Sequence, residues 1–205
     1  GLYNPLGRTT FVDGELECSW SAAGIEFNAV CEGDIVIDFT VKGDIYFHIV
    51  VDGKDIEDFL VDKSGKYAIV SNLESGAHSV RIVKQNEMAA TSVYMKSITL
   101  NGTLEKIEPL KTHIEFIGDS ITCGYRLNEV SSSDATRAYA YTAAKLLNSD
   151  YAIMSHSGMG IVYSDKDNIN IAIERYPLQN RSRDMNEKYV PRRTPDLIAI
   201  NLGTN

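Results

Sequence analysis

The sequence predicts two folds in succession: an all-β sandwich of the jelly-roll kind over residues 1–108, then an α/β unit with a parallel sheet over residues 109–205. Three observations carry this. Apolar residues recur at every second position from about residue 8 to residue 108. Beyond Pro109 the spacing changes to three and four residues. The second half also orders its elements as strand, helix, strand, connection, strand, the opening of a parallel α/β sheet.

In the first half, Leu16, Cys18 and Trp20 alternate, and Ile25 with Phe27 follows. Ile35, Ile37, Phe39 and Val41 share one face with Asp38 and Thr40 on the other, as a half-buried strand requires. Ile45, Phe47, Ile49 and Val51 repeat the pattern up to the turn at Asp52 and Gly53, and Val80 with Ile82 comes later. Short strands divided by Gly and Asp turns about every ten residues predict a sandwich. Trp20, Tyr46 and Phe47 read as packing residues of that sandwich in preference to a sugar platform.

The stretch Leu104 to Lys111, with Pro109 inside it, marks the change between units. Residues 113–117 form a short apolar strand. The Ser/Asp cluster at 131–134 offers N-caps for a helix that sets Ala135, Tyr139, Ala143, Leu146 and Leu147 on one face. Strands at about 151–155 and from Leu197 to Asn201 complete the series.

Composition narrows the function classes. With 205 residues, 43% hydrophobic and 23% charged, the chain is that of a folded globular protein. Its net charge of -8 opposes binding to nucleic acid or to an anionic membrane. The basic residues Arg181, Arg183, Arg192 and Arg193 are interleaved with Asp184 and Glu187 and read as solvated surface. Cys18, Cys31 and Cys123 show no zinc spacing and no disulfide framework. No apolar run is long enough to span a bilayer, and no signal-peptide pattern opens the sequence. A cytoplasmic protein and one whose leader has been removed both fit.

In open α/β sheets, ligands bind beyond the carboxyl ends of the strands. Three turns there are informative. Gly118-Asp119-Ser120-Ile121-Thr122 leaves the first strand directly, so Ser120 is positioned to present a nucleophilic hydroxyl and its own N–H. Ser157-Gly158-Met159-Gly160 follows the second strand, and Gly203-Thr204-Asn205 the third. A glycine N–H and an asparagine amide are donors suited to an oxyanion, although each residue alone is equally a plain turn residue.

The three turns taken together resemble the SGNH (GDSL-type) hydrolases, and the preceding sandwich extends the resemblance to carbohydrate esterase family 2. Gly7-Arg8, His78 to Lys84 followed by Glu87, Ile114 to Gly124, Ala138 to Leu147 and Ile200 to Asn205 carry it. The resemblance implies a flavodoxin-like three-layer hydrolase domain, of which residues 109–205 are the N-terminal portion. It implies a serine esterase that removes O-acetyl groups from carbohydrates, with acetylated plant polysaccharides or oligosaccharides as substrate and a secreted or periplasmic setting. Ser120 is then the nucleophile, and its N–H, Gly160 and Asn205 form the oxyanion hole, with Gly158 as substitute for Gly160. Asp119 shapes the nucleophile turn through hydrogen bonds. Arg126 departs from the family, which often carries glycine there.

No cofactor and no metal is expected: Asp165, Asp167 and Asn168 alternate like a cation loop but lack the closing glutamate. His48, His78, His113 and His156 read as structural, so the general base that a serine needs is expected outside this chain, on a further segment of roughly 100 to 150 residues or a second fragment. The competing readings are a lipase or thioesterase of the wider SGNH group and a carbohydrate-binding protein with a degenerate hydrolase part.

Overall fold

The computed structural model describes residues 1–87, 91–163, 171–177 and 188–205. Arg181, Arg183, Asp184, Glu187 and the Asp165-Asp167-Asn168 loop lie outside those residues.

Among the described residues, eight antiparallel strands form the first sheet: β1 (Asn4–Leu6), β2 (Thr10–Val12), β3 (Glu15–Glu17), β4 (Gly24–Lys42), β5 (Ile45–Val51), β6 (Lys54–Val61), β7 (Gly65–Lys84) and β8 (Ser92–Glu105). Their order is β2-β3-β8-β4-β7-β5-β6, with β1 on β4. The alternating residues face one core in which Trp20, Phe27, Ile35, Phe39 and Phe47 are buried. Each such side chain contributes about 1.5–3 kcal/mol through removal from water. Trp20 and Phe47 are therefore packing residues.

Two expectations change here. The separate strands expected around Ile25–Phe27 and Ile35–Val41 are one strand of 19 residues, β4. Gly33, at φ 77°, does not end it; the pairing shifts register there and continues. A bulge bends a strand without breaking it, so both halves of β4 reach the same core. Second, Cys18 and Trp20 lie beyond β3 and are buried from a connecting segment.

The second sheet is parallel, in the order β10-β9-β11, from β9 (His113–Gly118), β10 (Asp150–Ser155) and β11 (Leu197–Asn201). β9 and β10 are buried along their whole length, whereas Leu197, Ile198 and Ile200 of β11 are exposed. Helix α1 (Tyr139–Leu146) starts later than expected. Its N-cap is Ala138, with no side-chain cap. The expected cap Asp134 instead accepts from Thr136 N–H and from Gln85 Nε2 of the first unit, 2.8 Å away. Tertiary contact has overridden the local signal. The buried side of α1 is Ala140, Tyr141 and Ala144; Leu146 and Leu147 face solvent. Small alanines let the helix approach β10, and Tyr141 meets Tyr151 edge-on at 5.4 Å between centroids. A short helix α2 (Ala172–Arg175) follows β10.

A second core joins the sheets, with Leu6, Ala22 and Val83 packed against Ile114, Phe116, Tyr141 and Tyr151. Arg192 and Arg193, read as solvated, are tethers instead. Arg192 donates to Pro5 O at 2.6 Å, and Arg193 to Leu110 O and Lys111 O at 2.5 Å each. Guanidinium groups carry several donors in a fixed fork, which suits the capture of main-chain carbonyls. Cys18, Cys31 and Cys123 are free and buried. Among the described residues no helix is long and apolar enough to cross a membrane.

Candidate active site

The parallel register sets Gly118 of β9 opposite Ser155 of β10 and Asn201 of β11. All three strands therefore end on one edge, and the three turns picked out in the sequence leave from it.

The first turn begins with a close approach. A Cβ on Gly118 would lie 1.8 Å from Thr122 Oγ1, so only glycine lets the chain fold back here. Asp119 then organises the turn. Its backbone carbonyl accepts from Thr122 N and Cys123 N, and its Oδ1 accepts from Ile121 N at 3.0 Å. Ser120 sits half-buried on this turn, and its carbonyl accepts from Tyr125 N at 3.0 Å. The turn closes against residues 131–135, where Gly124 O accepts from Asp134 N at 2.9 Å.

The second turn is knitted to the first. Met159 N donates to His156 O, and His156 Nδ1 lies against Ser157 O. Gly158, at φ 79°, has open space where a side chain would be. Gly160 is confined: a Cβ there would meet Tyr163 O at 1.6 Å and Asn205 O at 3.3 Å, while its carbonyl accepts from Ala172 N.

The third turn closes the group. Asn205 Nδ2 donates to Asp119 Oδ2 at 3.1 Å and to Met159 O at 3.3 Å. One amide thus ties all three turns together, and Ser120, Gly160 and Asn205 belong to a single cluster. Asp119 has the hydrogen-bonding place expected of it.

Sequence reading noted Glu87 only as part of the resemblance and gave it no role; it arrives from the segment after β7. Its Oε1 accepts from Ser157 Oγ at 2.6 Å, and its Oε2 from Ser157 N at 2.8 Å and Cys123 Sγ at 3.4 Å. Burial alone would raise the Glu87 carboxyl, but the Ser157 bonds, with His156 and Cys123 nearby, hold it below the usual carboxylate range. Burial and the adjacent carboxylate push the Cys123 thiol well up, so it stays protonated and a donor. A lone acidic residue 36 positions from one partner and 70 from the other leaves no local signal to find it by.

Two of the histidines are bonded within the first sheet. His48 bonds Asp55 and His78 bonds Asp52, each at 2.7 Å, and His78 Nε2 meets Glu74 O within β7. His113 opens β9, at the far end from Ser120. Among the described residues no hydrogen bond joins a histidine to the Ser120 hydroxyl, and no group of three or more His, Cys, Asp and Glu is arranged to hold a metal ion. A cavity lined by Tyr3, His113, Asp150 and Arg193 lies at the amino ends of β9 and β10. Ligands of open α/β sheets bind at the opposite end, so the three-turn cluster is the candidate site.

Comparison with known proteins identifies the family. The sequence pattern of the family described as carbohydrate esterase 2 N-terminal matches residues 5–109. The cellulase/esterase CelE of Acetivibrio thermocellus is 31% identical over the whole chain, which spans 26% of that protein. An acetylxylan esterase / glucomannan deacetylase of Cellvibrio japonicus is 30% identical over 78% of the chain and 48% of its own length. A family two carbohydrate esterase from Clostridium thermocellum, solved with cellohexaose, superposes with a TM-score of 0.90 at 26% identity, covering 99% of this chain and 66% of that one. The chain thus spans about a quarter to two thirds of these relatives. With more than half of its sequence matched by the family pattern, this chain belongs to carbohydrate esterase family 2.

Proposed function

We propose that the protein is a serine esterase that removes O-acetyl groups from plant polysaccharides or their oligosaccharides. The observation that carries the reading is the tie of the Ser120 turn to Gly160 and Asn205 at the carboxyl edge of the parallel sheet. Ser120 Oγ attacks the acetyl carbonyl, the sugar hydroxyl leaves with a proton, and water then releases acetate from the acyl-enzyme. Ser120 N–H, a glycine N–H of the second turn and the Asn205 amide hold the oxyanion. The longer Asn205 bond, to Met159 O at 3.3 Å, is the weaker one and is exchanged for the substrate oxygen.

Residues 1–108 serve as the sandwich domain and 109–205 as the N-terminal portion of a flavodoxin-like SGNH hydrolase domain. The two sheets and the core between them support this division. A serine hydroxyl needs a general base near neutral pH, and among the described residues no histidine is hydrogen-bonded to the Ser120 hydroxyl. We assign the base to a histidine in sequence beyond these 205 residues. Polymeric substrate favours a secreted or periplasmic setting. The test is acetate release from acetylated glycans by the full-length protein: Ser120→Ala should abolish it, and undiminished turnover would remove Ser120 from the mechanism.

A further inference from the structure

Glu87 is a half-buried carboxylate in an unusual place. It belongs to the segment joining β7 to β8 of the first sheet, yet its carboxylate is inserted between the first and second turns of the candidate site. No salt bridge to it exists among the described residues. A partly buried carboxylate without a salt bridge carries a desolvation penalty that hydrogen bonds must offset.

The partners explain why a carboxylate is used. Ser157 N–H, Ser157 O–H and the Cys123 thiol all act as donors towards it. Only an acceptor-only group satisfies three donors with two oxygens; a glutamine amide would turn N–H groups toward N–H and S–H groups. The backbone of Glu87 is fixed too, its N–H donating to Ser133 Oγ at 2.7 Å. Residues 131–135 are in turn bonded to Gly124 and to Gln85.

Through these bonds one side chain governs two turns. Cys123 lies three residues after Ser120, and its Sγ is 3.5 Å from Ser120 O. Ser157 opens the second turn, whose Met159 carbonyl receives the Asn205 amide and at whose Gly160 an added Cβ would lie 3.3 Å from Asn205 O. We propose that Glu87, contributed by the sandwich, is a positioning residue that acts through Ser157 to fix the oxyanion-binding turn relative to the nucleophile. The inference rests on the esterase reading above and explains why the sandwich and the hydrolase unit share one core: the former completes the geometry of the latter's site.

The test uses the full-length protein and the variants E87Q, E87D and S157A. A displacement of about 1 Å in a catalytic group costs on the order of 100-fold in rate. E87Q should therefore lower kcat about 10- to 100-fold with KM changed less than about three-fold, and E87D, which keeps two acceptor oxygens, should recover part of the loss. In the double variant E87Q/S157A the losses should not multiply, since both act on one bond pair. Multiplying losses, or an E87Q enzyme as fast as the parent, would overturn the proposal. A poorly folded E87Q leaves E87D and S157A to decide it: both retaining full kcat would be equally fatal. Amide hydrogen exchange over residues 156–160 needs no turnover and can be run on S120A. Faster exchange there in S120A/E87Q, by roughly ten-fold or more, supports the positioning role even if Ser120 itself proves not to be the nucleophile; unchanged exchange refutes it.

Discussion

Gly158 and Gly160 differ in what an added methyl group would meet, and that difference separates their roles. In Gly160→Ala the new Cβ would sit 1.6 Å from the Tyr163 carbonyl oxygen, where contacts under 3.0 Å essentially never occur. One of the two backbones must retreat by roughly 1.4 Å, because the obstacle is main chain and not a flexible side chain. A shift of that size removes an oxyanion donor from range, which costs about 3–4 kcal/mol or a factor of 100 to 1,000 in kcat. Gly158→Ala meets nothing within 4 Å. Its φ of 79° costs an alanine about 1–2 kcal/mol, of which 0.4–1 returns through the less flexible unfolded chain. Its net destabilisation is about 1 kcal/mol and its kcat should fall less than about ten-fold. Steady-state kinetics on an acetylated oligosaccharide, with thermal unfolding of both variants, measure the contrast. If Gly160→Ala kept more than a tenth of the parent kcat, the placement of Gly160 beside the oxyanion would be wrong. If Gly158→Ala were the more damaging, the oxyanion donor would be Gly158 N–H.

Other outcomes follow from the same geometry. Gly124→Ala combines φ 71° with a Cβ 2.1 Å from Asp134 O, and it strains the bonds that Gly124 O receives from Asp134 N and Leu127 N. Strain and two weakened bonds give about 3 kcal/mol, or roughly 6–12 °C in Tm, and a shift under 1 °C would contradict this. His78 and Asp52 form a pair in which the Asp52 bond, helped by Glu74 O, raises the His78 pKa, and the His78 and Ser79 bonds lower that of Asp52. The raised histidine contributes stability that is full below about pH 6.5 and is lost as pH rises through its folded pKa; the lowered aspartate contributes above about pH 3.9 and loses it on acidification. The Tm gap between the parent and His78→Ala should accordingly be widest between about pH 4 and 6.5 and narrow by pH 9, and a gap independent of pH would exclude the pair as its source. Acetyl esters should be turned over faster than octanoyl esters if the proposed deacetylase reading holds; a strong octanoyl preference would favour a lipase.

Alternation of apolar residues was enough to read the first sheet, because a half-buried strand imposes a period of two wherever one face meets a core. It was not enough to count strands. Ile25 to Cys31 and Ile35 to Phe39 look like separate segments divided by Gly33 and Asp34, and only the pairing of β4 with β7 and β8 shows that the glycine is a bulge. The α/β half was legible in its order and strand positions and misread at its helix. Ser131 to Asp134 carry the chemistry of N-caps, but Asp134 and Ala135 are recruited by Gln85, whose position no local pattern records. Likewise Leu146 and Leu147 looked like the inward stripe of α1, whereas close approach to β10 selects Ala140 and Ala144. The clustering of Ser120, Gly160 and Asn205 was legible because a parallel sheet delivers its strand ends to one edge; the place of Glu87 beside them was not, because it reaches that edge from the other sheet.

That asymmetry bears on how the two units divide the work. The residues expected to touch substrate all come from the carboxyl edge of β9, β10 and β11, as the topology of a parallel sheet dictates. Three turns on one edge do not by themselves hold a mutual geometry to a fraction of an ångström, which electrostatic stabilisation of an oxyanion demands. Rigidity has to come from bonds between turns. Among the described residues these include the Asn205 amide, which links all three turns from the hydrolase side, the Glu87 carboxylate, which links the first two from the sandwich side, and the direct contacts of Cys123 Sγ with Ser157 Oγ and of His156 N with Gly118 O. Asn205 is expected to yield its bond to Met159 O to the substrate oxygen during the reaction, and the Glu87 link between the first two turns persists through that step. A carboxylate facing only donors exchanges nothing with a neutral ester, so the turn geometry survives the step that releases Asn205. On this reasoning the sandwich is part of the site's framework, and severing it from the hydrolase unit should cost turnover even on a small acetyl ester that never touches the sandwich surface.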